Sequence, residues 1–131
     1  MLMTKIAIIE DDQTIAQMYR MKFESEGFSV DVAADGRSGV DMVAAETPDA
    51  ILLDLQMPEM NGAEALKHIR GLPNGHDIPV IILTNLGQEE APRNLEKLGV
   101  DRYIVKADQT PRQVVHQVKK ILGLDEEATD Q

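Results

Sequence analysis

The chain has 131 residues, no cysteine and 43% hydrophobic residues, enough apolar material for one core and a length that fits one domain. Its formal net charge is −10, from 13 basic and 23 acidic side chains, so its surface repels phosphate backbones and no nucleic-acid binding is expected, nor room for a separate DNA-binding domain. Missing cysteine excludes a disulfide framework and a zinc–thiolate site; the apolar runs are too short to cross a membrane, the start does not read as a signal peptide, and the expected location is the cytoplasm.

In chain order, the first apolar run is Ile6-Ala7-Ile8-Ile9. A helix-period stripe follows, with Ile15, Met18, Tyr19, Lys22 and Phe23 at spacings of three and four. Only the lysine is polar there, and its stem can lie on an apolar surface. Val30-Asp31-Val32 alternates, which predicts a strand nearer a sheet edge. Val40, Val43 and Ala44 give a second helical stripe. Ala50-Ile51-Leu52-Leu53 is a second continuous run, and Ala65, Leu66 and Ile69 mark a third helix. Val80-Ile81-Ile82-Leu83 is the third continuous run.

Leu95 and Leu98 make a shorter stripe. Pro92 is tolerated only in a first turn, so this fourth helix is expected to start near Glu89 or Glu90. Tyr103-Ile104-Val105 is the last strand. Thr110-Pro111 starts a fifth helix, whose stripe is Val114, Val115, Val118, Ile121 and Leu122 and whose end is Gly123. That stripe reads as core. Residues 1–124 form the expected domain, and 125–131 an acidic, solvated tail. His68, His76 and His116 lack metal-ligand spacing and are expected at the surface or its boundary.

Five strand–helix units imply an α/β domain with a parallel sheet and right-handed crossovers. Continuous apolar runs are strands buried on both faces. In such sheets the functional crevice lies beyond the carboxyl ends of the strands. Glu10-Asp11-Asp12 follows the first strand, Asp54 the third, Thr84-Asn85 the fourth and Lys106 the fifth.

Crowded carboxylates repel, more so when desolvated. A hard divalent cation relieves that repulsion, and magnesium prefers oxygen ligands with several retained waters. Magnesium, an ammonium and a hydroxyl together make a phosphoryl-binding set. A carboxylate facing that pocket would be a nucleophile able to form an aspartyl phosphate.

Glu10-Asp11-Asp12, Asp54-Leu55-Gln56-Met57-Pro58 with Gly62, Thr84, and Tyr103-Ile104-Val105-Lys106 together resemble the motifs of response-regulator receiver domains of the CheY-like, single-domain type. The resemblance runs from about Lys5 to Gly123. It implies a flavodoxin-like, doubly wound five-stranded parallel sheet in the order 2-1-3-4-5, with five helices. It makes Asp54 the phosphoacceptor, and Asp11 and Asp12 the acidic pair that holds magnesium with Asp54 and the backbone carbonyl of Gln56. Asp12 is the expected direct ligand, and Asp11 acts partly through water. Thr84 becomes the switch hydroxyl, Lys106 the family lysine and Tyr103 the switch aromatic. Met57-Pro58 and Gly62 shape the acceptor pocket or simply make the turn into the third helix.

Gln56 and Leu86 resemble family positions that tune phosphoryl lifetime, and Asn85, where the family usually has a small residue, would narrow phosphodonor access or add a hydrogen bond. The family's usual proline after the lysine is Ala107 here, so a trans bond is expected there. The implied partners are a sensor histidine kinase or histidine phosphotransfer protein and a downstream protein target. The latter is reached through the face of helix four, strand five and helix five. The chain is expected to be a monomer that can dimerise on phosphorylation. It would be a phosphoacceptor with self-phosphotransfer and at most slow autodephosphorylation, rather than an enzyme.

Three other readings compete. A magnesium-dependent phosphatase with an aspartyl nucleophile usually carries a second acid two residues after the nucleophile, where this chain has Gln56. A nucleotide or flavin binder needs a glycine- or hydroxyl-rich loop after the first strand, where Glu10-Asp11-Asp12 would repel phosphate. A receiver-like module that never uses phosphate is supported only by Asn85 and Ala107.

Overall fold

A computed structural model describes residues 3–124; the acidic tail at 125–131 lies outside them. The elements alternate as expected. They are β1 (Lys5–Ile9), α1 (Gln13–Ser25), β2 (Ser29–Ala33), α2 (Gly36–Ala45), β3 (Ala50–Leu53), α3 (Gly62–Arg70), β4 (Val80–Thr84), α4 (Leu95–Leu98), β5 (Arg102–Val105) and α5 (Pro111–Ile121). All four strand pairings are parallel, and the sheet order is β2-β1-β3-β4-β5. The alternating strand β2 sits at an edge, and the three continuous runs form the centre.

Alternation along each central strand builds two cores, because successive side chains point to opposite faces. Ala7, Ile9, Ile51, Leu53, Val80 and Ile82 face one way and meet residues of α2, α3 and α4. Ile6, Ile8, Ala50, Leu52, Ile81 and Leu83 face the other way and meet α1 and α5. The α5 valines Val114, Val115 and Val118 are all buried, and Ile121 and Leu122 pack at that core's margin. His68, His76 and His116 are exposed. No described helix is long and apolar enough to cross a membrane.

Three expectations fail locally. On α2 the buried face is Gly36, Gly39, Val40 and Val43, and Ala44 is exposed. On α1 the buried residues are Ala16, Tyr19 and Phe23, while Met18 is 44% exposed. The helix is rotated so that the small Ala16, not Met18, faces the sheet. The fourth helix does not start at Glu89 or Glu90. Gln88–Glu90 make one 3-10 turn, and α4 is a single turn from Leu95 to Leu98. Pro92 has no N–H to continue a helix, and its ring forces Ala91 into extended backbone (φ −69°, ψ 149°). Gly99, with φ +81°, closes α4 in the left-handed region.

Side chains at the helix ends fix the layers. Asp12, Asp35, Asn61 and Thr110 each cap a helix by accepting from an N–H three residues on. Arg70, at the end of α3, donates to four main-chain oxygens: Leu98 at 2.7 Å, Gly99 at 2.7 Å, Gly75 at 2.9 Å and Ile78 at 2.8 Å. It clamps the end of α4 and the approach to β4 onto α3. Lys119 of α5 bonds Glu26 past the end of α1 at 2.9 Å, and holds that carboxyl below the ordinary glutamate range.

Gly62 starts α3 against the main chain that follows β3. A Cβ there would lie 2.1 Å from the Asp54 carbonyl oxygen and 2.8 Å from the Leu55 Cα. Gly27, by contrast, has open space but φ +94°. Gly62→Ala is expected to cost about 3 kcal/mol in urea unfolding, and Gly27→Ala only about 1 kcal/mol. The depressed Glu26 pKa sets a pH signature. Its contribution is present above the ordinary glutamate pKa and is lost as pH falls through the folded-state value. Glu26→Gln should therefore lose about 0.5 kcal/mol at neutral pH, after solvent screening of this part-exposed pair, and nothing once wild-type Glu26 is protonated.

Candidate functional site

Strand register assembles the site. Ile9 pairs with Leu53 across β1 and β3, so the next residues, Glu10 and Asp54, emerge side by side. The Asp54 N–H donates to the Ile9 carbonyl at 3.1 Å, and the Glu10 N–H to the Ala33 carbonyl at 3.0 Å. Thr84 pairs with Val105, which delivers Lys106 to the same end of the sheet.

The strand ends bury three polar side chains here: Glu10 at 4% exposure, Asp54 at 5% and Thr84 at 0%. The Lys106 ammonium lies 2.6 Å from Glu10 Oε1 and 3.5 Å from Asp54 Oδ2. Backbone N–H groups hold the other oxygens, with Asp12 donating to Glu10 Oε2 and Gln56 to Asp54 Oδ1, both at 3.1 Å.

Burial pushes the Glu10 carboxyl up, although Lys106 and the Asp12 N–H pull against it. Burial would push the Lys106 ammonium down, but its contacts with Glu10 and Asp54 outweigh that and raise it above the ordinary lysine value. The lysine is therefore a fixed positive charge.

The carboxylate oxygens that converge belong to Glu10, Asp11 and Asp54, one from each within 4.8 Å of the others. Asp12 is not among them. Its side chain turns away to accept from the Ile15 N–H at 3.1 Å as the cap of α1. Of the expected pair Asp11 and Asp12, the structure brings Asp11 to this cluster together with Glu10, because β1 ends at Ile9 and Asp12 caps α1. Glu10 was visible in the sequence. Asp12 caps α1, while Glu10 and Asp11 face the crevice. An all-oxygen donor set with net negative charge fits a hard cation such as magnesium.

The remaining residues surround this centre. The Thr84 hydroxyl accepts from the Leu86 N–H at 3.4 Å. The Tyr103 hydroxyl donates to the Leu86 carbonyl at 2.8 Å, with a longer contact to Gly87 at 3.4 Å, and its ring packs against the α2–α3–α4 core. Leu86 is half-buried against the same core, whereas Asn85 is exposed. Gln56 and Pro58 are exposed, while Met57 is buried in the core. Ala107 sits in a 3-10 turn, Lys106–Asp108, and no peptide bond among the described residues is cis. A residue unnoticed as part of this site is Tyr19, buried on α1 beside Glu10 and Asp54.

Comparison with known proteins places this geometry. The response regulator receiver domain model matches residues 6–119. Response regulator MprA of Mycolicibacterium vanbaalenii is 35% identical over 104 residues, which are 78% of this chain and 43% of that protein. The chain thus spans about half the length of the curated relatives it matches. Among solved structures, chemotaxis protein CheY4 of Vibrio cholerae superimposes with a TM-score of 0.85 at 26% identity, covering 92% of this chain and 99% of that one. The receiver domain of sensor histidine kinase PA1611 from Pseudomonas aeruginosa, solved with magnesium coordinated in its active-site cleft, gives 0.79 at 25% identity, covering 93% and 99%. The matched span, the sheet order and the acid–lysine cluster at its carboxyl edge agree: the chain belongs to the response regulator receiver domain family.

Proposed function

We propose that the chain is a phosphorylation-gated signalling switch in which Asp54 accepts a phosphoryl group from the phosphohistidine of a sensor kinase or histidine phosphotransfer protein. One observation carries this reading. Asp54 is buried at the carboxyl end of a central strand, with a lysine ammonium and two further carboxylates gathered around it. A structural aspartate would need neither.

In the transfer, an Asp54 oxygen forms the new bond to phosphorus. The phosphorus–nitrogen bond to the donor imidazole breaks, and the ring leaves with the bonding pair. Lys106 offsets charge that gathers on the phosphoryl oxygens. Glu10, Asp11, Asp54 and the Gln56 carbonyl are the groups that would hold magnesium. When bound, that ion neutralises phosphoryl oxygens and relieves carboxylate repulsion. Asp12 serves this site through the helix it caps.

The switch follows from hydrogen bonds already described. Thr84 gives up the Leu86 N–H to donate to the phosphoryl group. The same short segment supplies the carbonyl that holds Tyr103, so the two side chains answer to one loop. A change there alters the face of α4, β5 and α5 that a downstream protein meets, shifting populations through contacts made in one state only. Gln56, Asn85 and Leu86 border the approach to Asp54 and would set donor access and lifetime.

Intact mass after incubation with acetyl phosphate and magnesium should rise by one phosphoryl group in the wild type and not in Asp54→Asn. Label persisting at the same site in Asp54→Asn would overturn the assignment. The cap role of Asp12 makes a second expectation. Asp11→Ala should weaken magnesium binding at least ten-fold by calorimetry. Asp12→Ser, which keeps a helix cap, should stay within two-fold of wild type.

A further inference from the structure

Tyr19 is a buried polar group that the reading above does not use. It is 3% exposed, on the face of α1 that, with Phe23, joins Ile6 and Ile8 in one core. Its ring borders the small space enclosed by Glu10, Leu53, Asp54 and Leu83. It also borders an open cavity of about 280 Å³ that Asn85, Lys106 and Ala107 help to line. Among the described residues its hydroxyl has no hydrogen-bond partner.

An unpartnered buried hydroxyl is a cost that phenylalanine or leucine would avoid at the same place. The phenol lies within electrostatic reach of both Glu10 and Lys106, and burial pushes it up. The Lys106 ammonium has three N–H donors and only two protein partners among the described residues, Glu10 and Asp54. One donor and one hydroxyl are therefore both left over at the same wall of the site.

Glu10 is wanted twice. It holds Lys106 at 2.6 Å, and it is one of the three carboxylates that converge for a cation. If the cation draws Glu10, the lysine loses its shortest contact. The geometry points to Tyr19 as the positioning residue for Lys106: its hydroxyl accepts an ammonium N–H once Glu10 turns to the cation, and so keeps the charge over Asp54. This inference rests on the phosphoacceptor reading and adds a residue to it. No bond is made or broken by Tyr19; the proton stays on the lysine.

The chain has only two tyrosines, so 13Cζ-tyrosine labelling gives two resonances, assigned with Tyr19→Phe. Magnesium alone is titrated into the unphosphorylated protein, with its binding followed by calorimetry. The Tyr19 signal should move with magnesium occupancy in the wild type and stay fixed in Lys106→Met. A Tyr19 signal that does not move while magnesium binds overturns the inference, as does movement that survives in Lys106→Met. Separately, Tyr19→Phe should lower the maximal rate of acetyl-phosphate transfer about ten-fold and leave half-saturation by magnesium within two-fold. An unchanged maximal rate also overturns it. If the wild type binds magnesium but takes no phosphoryl group, the functional reading fails and the titration still decides for Tyr19. If the wild type binds no magnesium, both fall together.

Discussion

The ammonium of Lys106 is the interaction on which the rest of this site depends. It lies between carboxylates from two neighbouring strands, at 2.6 Å from Glu10 and 3.5 Å from Asp54. Buried carboxylates at the ends of adjacent parallel strands repel each other, and the sheet register leaves them no room to separate. A single fixed positive charge makes the arrangement tolerable without cancelling it, since Asp11 adds a further negative group at the rim. On the proposed reading, the residual negative charge is what would draw a cation to the pocket and, through that cation, a phosphoryl group. The scaffold is built around that imbalance: two apolar layers hold the strand ends rigid so that the charges cannot relax apart.

The sheet explains why so much of this was legible in the sequence. Three apolar runs without alternation declared strands covered on both sides, and they occupy the centre of the sheet. One alternating run declared an edge, and β2 is there. Once strands alternate with helices, the end at which function collects follows from topology, and Asp54, Thr84 and Lys106 each come directly after an apolar run.

The parts that were not legible depend on local competition that a pattern does not resolve. Three consecutive acids after β1 contain one helix cap and two pocket carboxylates, and spacing alone does not say which is which. The α1 cap takes Asp12, and the pocket takes its neighbours. On α1 the apolar count favoured Met18, but a small residue allows closer approach to a sheet, and Ala16 holds that place. Around Pro92 the alternatives were a first-turn proline or a broken helix. The extended backbone of Ala91 decides for the break. In each case a residue had two good local options, and tertiary packing chose between them.

The grip of Arg70 has a consequence for how this surface can evolve. All four of its acceptors are main-chain oxygens, so the grip does not read the side chains along the segment it holds. The outward residues of α4, Glu96 and Lys97, can drift freely in charge and shape while the turn beneath them stays anchored. On the proposed reading, the face that a downstream protein would meet can thus change in its side chains while one arginine keeps its backbone in place.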